Sequence, residues 1–133
     1  MTAPAALPDA APRPDLDGEA LAAAARTDPP GLARIIDEHD AVIAWFAQPS
    51  CSICTVLQPQ VAELAARRFP RARFAVLDVA AHPEAIHRHR ILAAPTVVAW
   101  FGGREWVRLG RGFGLVELER ALARPYALCF GEG

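Results

Sequence analysis

Lysine is missing altogether: all 14 basic residues of the 133-residue chain are arginine. Together with abundant alanine and proline, this reads as the residue usage of a GC-rich genome, which removes most of the functional weight of the arginines themselves. Arg67, Arg68, Arg71 and Arg73 cluster, as do Arg88 and Arg90. No aromatic side chains interleave with them to form a base-stacking platform, so a nucleic-acid partner is not expected. Long apolar runs are also missing, and the N-terminus lacks the positive start and apolar middle of a secretory signal, so a cytoplasmic protein with no membrane partner is expected. Cysteine is scarce, with three residues, too few for a secreted disulfide scaffold. In a reducing compartment, a close cysteine pair is more readily catalytic or metal-binding than structural.

What is present suits a folded unit. The chain is 53% hydrophobic and long enough to bury a core without structural disulfides or metal. Charge is uneven: residues 1–40 hold eight acidic residues against three arginines, and residues 41–133 hold seven against eleven. We expect residues 1–28 to form a flexible, acidic, Ala/Pro-rich leader and residues 29–133 to form the domain. Within the leader, four prolines in residues 1–16 oppose regular structure, whereas residues 17–26 suit a short Ala-rich helix. Pro29–Glu38 predicts a helix with proline in its first turn and Leu32, Ile35 and Ile36 on one face.

Ala41–Ala47 is a short continuous apolar run, the pattern of a strand covered on both faces. Pro49 and Ser50 break it, and Cys51–Phe69 reads as a helix with Pro59 inside, which removes one backbone bond and favours a kink. Arg73–Val79 predicts a second strand, joined to the first by a crossover and hence parallel. Pro83–Arg90 reads as a short helix. Thr96–Phe101 and Glu105–Leu109, separated by Gly102-Gly103, predict a hairpin, and a last helix is expected from Leu115 to Arg124, stopped by Pro125. The class is α/β: a central mixed sheet with helices on both faces.

Cys51-Ser52-Ile53-Cys54 stands where the first strand passes into a helix. Residues three apart on a helix share a face, about 5–6 Å apart at Cβ, near the separation a disulfide tolerates. The pair is therefore able to open and close without unfolding the chain, and the spacing points to dithiol–disulfide chemistry. At a helix N-terminus, unpaired N–H groups and the helix dipole favour a thiolate at Cys51, while Cys54 should lie deeper and be less acidic.

With Phe46-Ala47 ahead of the cysteines, Pro59 five residues after the second, Ala94-Pro95-Thr96 some forty residues on, and the Gly102-Gly103 turn, residues 30–124 resemble the thioredoxin family. The resemblance implies the thioredoxin fold with an N-terminal extension, and a protein disulfide oxidoreductase with Cys51 attacking and Cys54 resolving. It implies a cis Pro95 beside the cysteines, with Ala94, Pro95, Thr96 and Ser50 meeting an extended protein substrate. No cofactor is implied, and electrons would come from a reductase or a small thiol. The chain departs from the family pattern at the active-site surface: Ser50 replaces the usual Trp, and Ser52-Ile53 the usual Gly-Pro. It departs in the core as well, where Trp45 and Val76 take the places of a buried Asp and its Lys partner. These departures keep a second reading open, a thioredoxin-fold binding or redox-sensing module with weak or no reductase activity.

Two other groups of residues carry metal-binding or redox atoms. His82, His87 and His89 could join the cysteines at a zinc ion, but His87 and His89 point in different directions on a helix. Cys129 reads as a small apolar residue beneath the last helix rather than a third redox thiol.

Overall fold

The computed structural model describes residues 17–131; the Ala/Pro-rich stretch 1–16 lies outside them. Its centre is the apolar run Ala41–Ala47, here β1, in which all seven residues are buried. β1 lies between a parallel neighbour, β2 (Arg73–Asp78), and an antiparallel one, β3 (Thr96–Phe101). β4 (Arg104–Leu109) pairs with β3 at the edge, giving the four-stranded order β2-β1-β3-β4. Gly102 and Gly103 connect β3 to β4 with φ of 64° and 80°, a left-handed pair of positions that glycine adopts without steric cost.

Because successive residues of a strand face opposite ways, the sheet has two apolar faces. Ile43, Trp45 and Ala47 of β1 join Val97, Ala99 and Phe101 of β3 on one face, covered by α1 (Gly18–Ala24), α3 (Ser52–Arg68) and α5 (Leu115–Phe130). Val42, Ala44 and Phe46 join Ala75, Leu77, Val98 and Trp100 on the other, covered by α2 (Pro29–Glu38) and α4 (Glu84–His89). The mixed sheet with helices on both faces is the expected arrangement, and no helix among the described residues is long and apolar enough to cross a membrane.

Three expectations need correction. Residues 17–28, read above as part of a flexible leader, are packed on the body. Asp17 caps α1 by accepting from Glu19 N at 3.0 Å, and Gly18 sits so close to Pro59 of α3 that a Cβ there would meet its carbonyl oxygen. Beyond α1 the chain adds a parallel bridge to the outer edge of β2, with Thr27 N donating to Val76 O and Val76 N to Ala25 O, both at 2.9 Å. The second correction concerns α5, which continues through Pro125 to Phe130 rather than stopping at Arg124. A proline interrupts a helix by withholding one N–H, but here the added turn is held from outside. The Tyr126 ring meets Phe69 at 5.1 Å, its hydroxyl accepts from Arg71 N at 3.0 Å, and the Arg71 guanidinium lies over Phe130 at 4.5 Å. Cys129 is consequently exposed on this turn, not tucked beneath the helix.

Candidate active site

The turn after β1 delivers Cys51 to the N-cap of α3. Its φ and ψ of −88° and 109° are extended, and Cys51 N donates to Gln48 O at 3.1 Å. An extended N-cap leaves the first helical N–H groups without intrahelical partners. The Cys51 sulfur takes one of them, accepting from Cys54 N at 3.1 Å. The thiol also points toward the carbonyl of Ala94, 3.9 Å away. Both cysteines are present as free thiols, Cys51 half-buried and Cys54 buried at 2% exposure.

The surroundings of the two thiols differ in kind. Burial pushes the Cys54 thiol up to about 12, and its hydrogen bond to Cys51 adds to the effect by favouring the protonated form. Cys54 therefore stays a donor toward Cys51, whose sulfur meanwhile receives an N–H from the helix start.

Across from the cysteines lies the segment before β3. The Ala94–Pro95 peptide bond is cis, and Thr96, buried, closes the local turn by donating from its hydroxyl to Ala93 O at 2.6 Å. Of the residues named from the sequence, Cys51, Cys54 and Ala94 converge, with Pro95 and Thr96 following directly. Ser50 is exposed on the turn before Cys51. Leu92, 96% exposed, was not singled out in the sequence, and Ile53, noted there only as a departure from the family pattern, is 54% exposed. Both flank the site in the sequence, and the signal was available, an apolar residue between two cysteines and another just ahead of Ala-Pro-Thr.

Behind the cysteines, Trp45 and Val76 stand opposite each other in the β1–β2 register. Both are buried, and the Trp45 indole N–H donates to Gln58 Oε1 at 3.1 Å, so this apolar substitution leaves no unpaired buried charge. A cleft of about 550 Å³ opens between α1, the first half of α3 and the end of β2, with Cys54 on its wall. The histidines are dispersed: His82 lines this cleft, His87 is exposed, and His89 stacks against Phe46 and Trp100 with ring centroids 5.2 and 5.7 Å away. Among the described residues no group of three or more His, Cys, Asp or Glu is gathered as a metal site requires.

Known proteins share this architecture. The family model for thioredoxin matches residues 32–120. A curated relative, the thioredoxin-like protein YdfQ of Bacillus subtilis, is 24% identical over 101 residues, spanning 76% of this chain and 89% of its own. Among solved structures, the thioredoxin of Fasciola hepatica superposes with a TM-score of 0.65 at 27% identity, covering 75% of this chain and 94% of that one. A mutant thioredoxin of Halobacterium salinarum gives the same TM-score at 22% identity, over 71% of this chain and 83% of that one.

Proposed function

This chain belongs to the thioredoxin family, and from that premise we propose that it exchanges disulfides with protein substrates through a Cys51/Cys54 dithiol. The Cys51 thiolate attacks one sulfur of a substrate disulfide, forming a mixed disulfide and releasing one substrate thiolate. Cys54 then gives up its proton and attacks Cys51 Sγ, closing the Cys51–Cys54 disulfide and expelling the second substrate thiolate. Two electrons pass from the dithiol to the substrate. They return from a flavin-dependent reductase or a low-molecular-weight thiol, so the chain itself needs no bound cofactor. An extended substrate segment would pair with the backbone around Ala94, Pro95 and Thr96, with Ser50, Ile53 and Leu92 beside it. A reducing, cytoplasmic setting suits this direction of exchange.

The observation that carries the reading is the asymmetry of the pair: a half-exposed sulfur accepting the Cys54 N–H at 3.1 Å, and a buried thiol held protonated beneath it. The test is turnover of a protein disulfide by wild type, Cys51→Ser and Cys54→Ser, alongside the midpoint potential of the couple. Activity lost in Cys51→Ser and mixed disulfides accumulating in Cys54→Ser are the expected results. Wild-type turnover no faster than free dithiol would instead favour the rival reading, a binding or sensing module, which the apolar Trp45–Val76 pair keeps in view.

A further inference from the structure

Resolution requires the buried Cys54 thiol to lose a proton, and the position of the family's buried carboxylate is filled here by Trp45. Trp45 has no basic atom, and its N–H is committed to Gln58. Cys54 has as polar neighbours Cys51 and the backbone of Gln48. Its outlet is the cleft beneath α1, whose volume of about 550 Å³ is ample for several waters, and whose wall carries the polar groups such waters need. Four charged or titratable side chains other than Cys54 face that space: Glu19 from α1, Arg26 from the segment after it, and Asp78 and His82 from the end of β2 and the following turn.

These four are not equivalent. Asp78 is engaged, with Oδ1 accepting from Ala80 N at 2.8 Å and Ala81 N at 3.2 Å. It stands opposite Ala47 at the end of β1, the residue before Gln48. Its carbonyl accepts from His82 N at 3.0 Å, so the turn that fixes Asp78 also fixes the backbone of His82. Glu19 is exposed in the first turn of α1, and Arg26 accepts no proton at working pH. Imidazole is the side chain that takes up a proton near neutrality and returns it to water.

We propose that His82 accepts the proton of Cys54 through water in this cleft, with Asp78 as the positioning residue. The proposal rests on the dithiol reading above. The balance is simple: the proton leaves Cys54 Sγ for His82, the thiolate electron pair forms the bond to Cys51 Sγ, and the substrate thiolate departs. His82 afterwards releases the proton to solvent. The step uses no oxidant or reductant beyond the dithiol and the substrate disulfide.

The test is stopped-flow resolution of a mixed disulfide between Cys51 and a peptide thiol, followed from pH 6 to 10 in wild type, His82→Gln and Glu19→Gln. His82→Gln should slow resolution at pH 7 about tenfold or more, recover toward wild type at high pH as Cys54 ionises unaided, and regain rate with added imidazole. The rate at which Cys51 first attacks should not change, and Glu19→Gln should follow the wild-type profile. A wild-type profile in His82→Gln, equal slowing of both steps, or the loss appearing in Glu19→Gln overturns the assignment. If the wild type itself never resolves the mixed disulfide, the dithiol reading falls too; if it resolves and His82→Gln matches it, only the relay falls.

Discussion

Cys51 and Cys54 are three residues apart in the chain, and one helical turn of depth leaves the first half-buried and the second buried. With Cys54 raised from 9.0 to about 12, the native protein should keep it protonated through the pH range in which thiols are usually modified. Brief alkylation of the reduced protein at pH 8 is therefore expected to label Cys51 and the exposed Cys129, leaving Cys54 to react after denaturation. Native labelling of Cys54 as fast as Cys129 would contradict this. The same shift has a stability consequence. Above pH 9 the unfolded chain loses the Cys54 proton while the folded chain retains it, so the folded state binds more protons and stability falls as pH rises between about 9 and 12. Urea unfolding at pH 8 and pH 10.5 should show the decline in wild type and a smaller one in Cys54→Ala. Nearby, Gln58→Ala removes the side-chain acceptor of the buried Trp45 indole N–H. A loss of about 1–3 kcal/mol in chemical denaturation is expected.

At the scale of elements, the legible parts of the chain were those whose pattern is enforced locally. β1 runs over Ala41–Ala47 as read, because a short, fully apolar run broken by Pro49 matches a strand covered on both faces. Pro29 at the start of α2 and the Gly102-Gly103 turn likewise carry their conformations in their own chemistry. The cysteine pair and the Ala94–Thr96 segment were found because both are short motifs. What escaped reading depends on contacts far apart in sequence: α5 passes Pro125 because Phe69 and Arg71 hold Tyr126 and Phe130. α1 was visible as a helix, but its docking was not, since the residues that dock it, Gly18 and Ala22, are too small to register as an apolar face. Their smallness is the reason it docks. A Cβ at Gly18 would lie inside contact distance of the Pro59 carbonyl oxygen and carbon, backbone atoms that have little freedom to move. Gly18→Ala is expected to push α1 off α3, costing about 1–3 kcal/mol despite alanine's higher helix propensity. Hydrogen exchange should show the loss, with α1 amides deprotected in the variant.

For the whole molecule, α1 and the strand-like segment after it complete two things that the family-matched region, residues 32–120, does not complete alone. They close one side of the cleft beside Cys54, through Glu19, Arg26 and Thr27. They also pair with the outer edge of β2 through Thr27 N to Val76 O and Val76 N to Ala25 O. A piece comprising residues 29–133, the domain expected from sequence, would lose both. Removing two backbone hydrogen bonds, at about 1 kcal/mol each, and the burial of Ala22 and Ala25 against α3 and the sheet should lower stability by about 3 kcal/mol. An unpaired stretch of β2 edge would be left open to another chain. The piece should therefore melt below the full chain, and light scattering should show it self-associating as concentration rises. With its cleft opened to bulk water, Cys54 should also become alkylatable at pH 8 in the folded piece, at temperatures well below its melting point. Equal melting temperatures and an unlabelled Cys54 would mean that α1 merely rests on the surface; a lower melting temperature together with a reactive Cys54 would show one segment both supporting the fold and shielding the resolving thiol.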